Sequence, residues 1–367
     1  MACSHAGFTA NVSYICRKTS TSRIEPRIIM KESKILITGA AGLIGSAVVR
    51  ELNHRGYDKL ILVDHLGDSE KWKNLRSLRF LQYLEKETFR ALLQDVQDGL
   101  GGPEAELLED LTGIIHLGAC SSTTEYDASY LIDNNYQYSI DLARFARSRN
   151  IRMVYASSAA TYGDGENGFE DDLNAIDTLR PLNPYGHSKQ MFDQWIRSNT
   201  GFEPLFAGLK YFNVYGPNEY HKGYMQSVVL KGFRQIRDTG RIGLFKSYRD
   251  DYGDGEQKRD FLYVKDAARI TVFFLLDQTQ ASGVFNVGSG MANTWMDLAR
   301  GIFQAMEKEP AIDFIEMPEE MRAKYQYYTC APIQRLREAG YGDHIGTLEE
   351  SIADYVRSYL LPGEWNA

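Results

Sequence analysis

Two rhythms of apolar residues run through most of the chain. Short, mainly apolar runs at 34–38, 60–63, 113–116, 151–155, 205–211 and 284–287 have the length of strands buried on both faces. Between them, 43–52, 130–146 and 183–197 space their apolar residues at helical intervals, as helices packed on one side do. Strand and helix in repeated turn predict an α/β fold: a Rossmann-type, doubly wound parallel sheet, with ligands at the carboxyl ends of its strands. Beyond 213 the order loosens. A turn at Asn213-Val-Tyr-Gly-Pro217 leads through a polar stretch at 218–224 to a helix at 226–237 and an acidic loop at 248–256. A strand at 259–264 and helices at 294–306 and 348–360 follow. The expected organisation is a principal domain at 30–213, completed by later strands from about 259–289, and a smaller, interleaved, substrate-binding C-terminal lobe at 214–258 and 290–367.

The loop between the first run and the first helix reads Gly39-Ala-Ala-Gly42-Leu-Ile-Gly45. Gly39 permits a tight turn, Gly42 lets the backbone approach a pyrophosphate, and Gly45 allows the helix to pack closely on the strand. Alone the pattern is weak. Here it follows a strand, opens a helix, and precedes a second run ending in Asp64, at the distance where an acidic side chain holds a ribose hydroxyl. The context argues for dinucleotide binding. Gly118 and Ser121 lie past one run, and Ser157, Ser158 and Asn213 past others, so they are expected to line one crevice. Taken singly, Ser158 reads equally as a helix cap or turn residue.

Pro184-Tyr-Gly-His-Ser-Lys189 sets a phenol and an ammonium on one helix face. Such pairs are common on solvated helices and mean little alone. A dinucleotide site upstream, with a serine-rich strand end between, turns the pair into equipment for hydride transfer at an alcohol carbon. Tyr185 would move the hydroxyl proton, Lys189 would bind ribose and lower the phenol's pKa from about 10, and Ser158 would hydrogen-bond the reacting oxygen. Ala159 and Ala160 place no carboxyl after the serines, which disfavours a dehydratase.

Composition narrows the field. A chain of 367 residues, 43% hydrophobic, can bury a large core, and a net charge of −8 argues against nucleic acid as the main partner. No apolar run reaches the length of a membrane span. Cys3, Cys16, Cys120 and Cys330 have neither metal-type spacing nor the look of a disulfide framework, which suits a reducing, cytoplasmic compartment and no metal site. Residues 1–29 are Ser/Thr-rich and set Arg17, Lys18, Arg23 and Arg27 against Glu25. That composition fits an organelle transit peptide. The expectation adopted is a disordered or non-native extension, with the fold beginning near Met30.

Longer stretches carry a resemblance: His116-Leu-Gly-Ala-Cys-Ser-Ser-Thr-Thr-Glu125, Asp133-Asn-Asn-Tyr-Gln-Tyr138, Ala156-Ser-Ser-Ala-Ala-Thr-Tyr-Gly163, Tyr211-Phe-Asn-Val-Tyr-Gly-Pro217, His221-Lys-Gly223 and Lys258-Arg-Asp-Phe261. With these, the chain from about Ser33 onward resembles the extended short-chain dehydrogenases/reductases. Among them it is similar to the ADP-L-glycero-D-manno-heptose 6-epimerase family. The resemblance implies an isomerase of lipopolysaccharide core-sugar supply that keeps NADP bound while oxidising and re-reducing C6 of ADP-D-glycero-D-manno-heptose. It also implies a homo-oligomer, a pentamer in that family. Tyr185 and Lys222 would be the two acid/base residues, Ser158 would support the first, and Lys189 would hold the nicotinamide ribose. Leu43, Ile44, Asp64, His65, Lys71 and Lys86 would face the cofactor, with Leu117, Gly118, Ala119, Cys120, Ser121, Asn134 and Val214. The ADP-sugar would lie near Asn213, Tyr224, Lys231, Phe245, Lys246, Ser247, Tyr248, Arg259 and Tyr325. The commoner fate of a lysine like Lys222 is a surface loop, and of a cysteine like Cys120 simple packing. Asp64 favours NAD, because its charge repels a 2′-phosphate; Lys71 and Lys86 offset it, and NADP is expected ahead of NAD. Two other readings stand beside this one. A UDP-hexose 4-epimerase would share Ser158, Tyr185 and Lys189 without needing Lys222, and a non-catalytic dinucleotide-binding scaffold would need none of them.

Overall fold

The apolar runs pair with one another in parallel. In the computed structural model, which describes residues 26–102, 104–200, 203–322 and 325–363, seven strands form one sheet. Their spatial order is Gly283–Val287, Phe206–Tyr211, Arg152–Ser158, Leu111–His116, Lys34–Thr38, Leu60–Asp64, Gln82–Glu85, and every neighbouring pair is parallel. The order reverses between Lys34–Thr38 and Leu111–His116, where Thr38 sits opposite His116. A doubly wound sheet opens its ligand crevice past such a reversal. Helices Leu43–His54 and Val264–Leu276 cover one face, and Lys86–Gln97, Tyr138–Ser148 and Pro184–Thr200 cover the other. Strands such as Leu60–Asp64 and Phe206–Tyr211, buried along their whole length, produce the unbroken apolar runs. The edge strand Gln82–Glu85 is half exposed, so no such run announces it.

Three elements depart from the sequence pattern. The strand expected at 259–264 spans Lys258–Tyr263 and does not join the main sheet. It pairs in parallel with Asn213–Tyr215, part of the expected turn, and antiparallel with Ala292–Thr294. The helix expected over 130–146 is interrupted: a widened π turn at Ile132–Gln137 separates Ala128–Leu131 from Tyr138–Ser148. Such turns admit an extra residue and recur at functional sites; here they bury Asn134 and Asn135. Residues 1–25, most of the expected extension, lie outside the described residues. Of the remainder, Arg27 donates to the carbonyl of Leu111 (3.1 Å) and Ile29 packs on the core.

Helices Val228–Thr239, Trp295–Ala305 and Leu348–Tyr355 build a second apolar core around Phe233, Ile302, Ile352 and Tyr355. Two of these helices start at capping boxes, Thr294 with Asp297 and Thr347 with Glu350. A two-stranded parallel sheet, Ile242–Phe245 with Ile312–Ile315, flanks them. Among the described residues no helix is long and apolar enough to cross a membrane.

Candidate active site

Gly39 follows the first strand with φ +68°, a left-handed value that suits glycine. A Cβ there would lie 2.7 Å from the amide nitrogen of Gly118, so the two chain ends at the switch point meet backbone to backbone. Thr38 ties them: Gly118 N donates to its Oγ1 (3.0 Å) and Leu117 N to its carbonyl (3.1 Å). Gly45 packs helix Leu43–His54 onto the loop so closely that a Cβ would come within 2.0 Å of the Gly39 carbonyl oxygen. Asp64 closes the cradle. Its Oδ2 accepts from Ala41 N (2.7 Å), and its Oδ1 accepts from His65 N (2.7 Å) and from the Lys71 ammonium. Lys71 thus neutralises the carboxylate that would repel a 2′-phosphate. Lys86 donates to Asn134 Oδ1 (2.9 Å), and His65 Nδ1 faces Glu85 (3.3 Å).

All the cofactor-side residues expected from the sequence come together. Gly39, Gly42, Leu43, Ile44 and Gly45 line one cleft with Asp64, Lys71, Leu117, Gly118, Ala119, Ser121, Lys189 and Val214. A contiguous recess adds His65, Lys86, Cys120 and Asn134. The residues fit a dinucleotide: backbone too close for side chains, the start of a helix with no side-chain cap, and an acidic side chain beside two lysines.

Ser158 and Tyr185 line the same cleft. The Ser158 hydroxyl accepts from Ala160 N (3.1 Å) and lies near enough to the Tyr185 phenol to act on its pKa. Gly186 lets the helix lie against that segment, since a Cβ would meet the Ala160 carbonyl oxygen at 2.6 Å. The expected lowering of the phenol by Lys189 is absent. Burial raises the Tyr185 pKa and the Ser158 hydroxyl opposes the rise, whereas the Lys189 ammonium donates to the Ala156 carbonyl (3.0 Å). Burial also brings the pKa of Lys189 down to about 8, with Asp193 pulling the other way.

Lys222 reaches the cleft on a short helical strap, Tyr220–Met225, bent at Gly223 (φ +53°). Burial lowers its pKa, and Glu219 opposes the drop. Glu219, itself buried, fastens the strap: it accepts from Ser227 N (2.5 Å), Ser227 Oγ (2.7 Å) and the Tyr355 hydroxyl (3.2 Å). Sequence reasoning missed two residues here. His221 lines the cleft, its pKa brought down to about 4 by burial and by Lys71 and Lys222. Asn135, from the π turn, accepts from Cys120 N (2.8 Å) and donates to Cys120 O (2.9 Å) and Ser188 Oγ (3.1 Å). It holds the 118–121 loop against the Tyr185 helix. The triplet Asp133-Asn-Asn was the available signal.

Residues 35–288 match the model of the NAD dependent epimerase/dehydratase family. The chain belongs to that family. Its relatives sharpen the comparison. It is 46% identical over 329 residues to the ADP-L-glycero-D-manno-heptose-6-epimerase of Nitratidesulfovibrio vulgaris strain DP4, covering 90% of this chain and 98% of that protein. The enzyme of the same name from Fusobacterium nucleatum is 42% identical over 334 residues, at 89% and 98% coverage. The crystal structure of Helicobacter pylori ADP-L-glycero-D-manno-heptose-6-epimerase superposes with a TM-score of 0.70 at 26% identity, covering 89% of this chain and 96% of that one.

Among the residues expected to hold the ADP-sugar, Arg259 is buried and stacks over Tyr325 (5.2 Å) and Trp295 (5.9 Å). It donates to the carbonyls of Lys258 (2.8 Å) and Gln326, and no carboxylate pairs with it among the described residues. Burial lowers its pKa. Phe245 meets Tyr325 edge-on, and Asn213 Nδ2 donates to the Asp260 carbonyl (3.1 Å). Other expected substrate contacts are turned elsewhere. Lys246 (2.7 Å) and Tyr248 are held on Glu316, while Ser247 N donates to Asp254 (2.7 Å). Tyr224, 68% exposed, bonds Ser122 (3.0 Å) and Thr124 (2.8 Å) at the rim, and Lys231 donates to the Tyr224 carbonyl (2.7 Å).

Proposed function

We propose that the protein converts ADP-D-glycero-D-manno-heptose to its L-glycero epimer at C6 through a 6-keto sugar, with NADP held throughout, supplying lipopolysaccharide core sugar. One observation carries the reading: Tyr185 and Lys222 share one cleft with their pKa values displaced in opposite directions, the phenol raised and the ammonium lowered. Two groups pushed apart by their surroundings divide acid and base duties. Inverting a carbinol carbon by oxidation and re-reduction requires the ketone to present both faces, so a proton must be handled at two positions. Lys222, the more readily neutral amine, takes the hydroxyl proton in one orientation. Tyr185, kept protonated by burial, delivers a proton to the ketone oxygen in the other, and Ser158 steadies that oxygen. The roles exchange in the reverse direction. The nicotinamide, when bound, supplies the redox step at C6.

Arg259, a buried guanidinium that no carboxylate pairs with among the described residues, suits the diphosphate of the ADP-sugar. Lys71, which neutralises Asp64, and Lys86 favour NADP. The substrate class fits a cytoplasmic enzyme, as do Cys120 and Cys330, which are free among the described residues; the family resemblance implies a homo-oligomer. The test is incubation of the purified protein with ADP-D-glycero-D-manno-heptose, with the product read by NMR and the released dinucleotide identified after denaturation. Inversion at C6 with NADP in near-stoichiometric amount is expected. Turnover of UDP-galactose in place of the ADP-heptose would establish a 4-epimerase instead.

A further inference from the structure

Behind Ser158, Tyr185 and Lys189 lies a buried ion pair that the chemistry above does not use. Lys210 Nζ stands 2.9 Å from Asp193 Oδ2, with the two side chains 1% and 0% exposed. The same carboxylate accepts from Ser157 Oγ (2.7 Å) and from the Tyr155 hydroxyl (3.0 Å). Lys210 also donates to Thr161 Oγ1 (2.7 Å) and faces the ring of Tyr162 (5.1 Å). Stripping water from two charges costs several kcal/mol each, and apolar residues of like volume often serve stability equally well. Stability is therefore a weak reason for this pair, and its position offers a stronger one. Asp193 lies one helical turn beyond Lys189 on Pro184–Thr200. Tyr155, Ala156 and Ser157 are consecutive, and all three are fastened to that helix, the outer two by Asp193 and the middle one by Lys189. The next residue is Ser158, which lines the cleft with Tyr185.

We propose that Asp193 is a positioning residue: clamped to Tyr155, Ser157 and Lys210, it sets the register of the Tyr185/Lys189 helix against the strand ending in Ser158. One helical turn from Lys189, its carboxylate also favours the ammonium form of that lysine. The proposal rests on the oxidation–reduction reading of Ser158, Tyr185 and Lys189. Around Lys189 stand Tyr185 and Asp193 from its own helix and His116 from Leu111–His116. Cys120 comes from the loop beyond that strand, while Tyr155 from Arg152–Ser158 and Lys210 from Phe206–Tyr211 face Asp193. Asp193 and Cys120 are the groups that favour its charge, and Asp193 is the carboxylate.

The experiment compares Asp193→Asn, Lys210→Met and the double variant in the full-length, dinucleotide-loaded protein. Turnover, bound dinucleotide, melting temperature and the titration of ¹⁵N-labelled lysine ammonium groups are followed. Asp193→Asn should lower kcat at least about tenfold with KM and bound dinucleotide unchanged, and should move the Lys189 midpoint and the alkaline limb of kcat down by about one pH unit, a tenfold change in its proton affinity. The double variant leaves no orphaned charge, so it should regain the wild-type melting temperature while keeping the low kcat and the low midpoint; it stands in if Asp193→Asn does not fold. A double variant with wild-type turnover and titration overturns the proposal. So does a fall in kcat with the Lys189 titration unmoved, which would leave Asp193 a prop for the fold. Tyr185→Phe, assayed alongside, reports on the underlying reading: turnover surviving there would sink that reading, while the Lys189 titration, which needs no substrate, still decides the role of Asp193.

Discussion

Gly45→Ala isolates the contact on which the cofactor cradle is built. The added Cβ would stand 2.0 Å from the Gly39 carbonyl oxygen, 2.8 Å from its carbon and 2.9 Å from Ala40 Cα, all backbone atoms with no rotamer to swing aside. Reaching even a 3.0 Å contact means moving helix or loop by about 1 Å, and overpacking of this kind costs about 1–3 kcal/mol. The strain falls on the loop that binds the dinucleotide, so affinity for it should drop about 5- to 150-fold. A displacement of about 1 Å can also cost about 100-fold in turnover. Gly42→Ala separates crowding within the protein from crowding of the cofactor. Its φ of −71° suits alanine, and the nearest atom to a Cβ is 3.2 Å away, which a shift of a few tenths of an ångström relieves. The assay is the amount of dinucleotide retained after gel filtration, with melting temperature in parallel. Gly45→Ala should purify largely empty, with a lowered melting temperature, and regain activity only at high added cofactor; Gly42→Ala, whose Cβ clears the protein but stands where the pyrophosphate approaches, should lose dinucleotide with the melting temperature of the empty protein unchanged. If Gly45→Ala retains the wild-type complement, the argument from helix–loop contact is wrong.

Tyr185→Phe and Lys222→Met should each abolish epimerisation while the fold and the bound dinucleotide persist; near-normal turnover in Lys222→Met would return that lysine to the role of a surface residue. Substrate deuterated at C6 should give product still deuterated there, and solvent deuterium found at C6 would point to proton abstraction instead. Arg259→Met should raise KM for the ADP-sugar about 10- to 100-fold, as loss of charged hydrogen bonds does, without changing dinucleotide content; an equal loss of both would contradict a diphosphate role. His116, whose pKa burial lowers to about 3 from 6.5, binds its proton more weakly folded than unfolded. The stability it contributes is therefore complete above about pH 6.5 and is lost as pH falls toward 3, by up to about 1.4 kcal/mol per unit. Urea unfolding at pH 7 and pH 5 should show a smaller drop in His116→Gln than in the wild type, and equal drops would refute this.

The main sheet was legible because strands buried on both faces write continuous apolar runs, as Leu60–Asp64 and Phe206–Tyr211 do. Gln82–Glu85 and Ala292–Thr294 were not, since short, half-exposed strands have no such periodicity. The destination of Lys258–Tyr263 was hidden because local pattern specifies a strand and not its partner. The same limit applies at the site. Gly39, Gly45 and Tyr185 were found through fixed spacings, and their gathering into one cleft followed from strand ends converging. The direction of the Tyr185 pKa was read wrongly: spacing says that Lys189 is near, while the hydrogen bond to Ala156 and the depth of burial belong to the tertiary structure. Asp193, Lys210 and Glu219 escaped for a related reason, because charged residues in a sequence read as surface until the fold buries them.

The anchoring of the Lys222 strap has a consequence for how the protein is made. A ribosome delivers the chain from its amino end at about 5–20 residues per second, and early segments begin to fold first. The glycine loop and the Ser158/Tyr185 pair emerge well before the hydroxyl of Tyr355, which grips Glu219 and with it the base of the strap. Strand Gly283–Val287 is also late to arrive at the edge of the sheet. A nascent or truncated chain thus has Ser158 and Tyr185 but lacks the clamp that seats Lys222. Only near the end of translation does the cleft hold both Tyr185 and Lys222 in fixed positions, so on the proposed mechanism unfinished copies are poorly equipped to begin the oxidation.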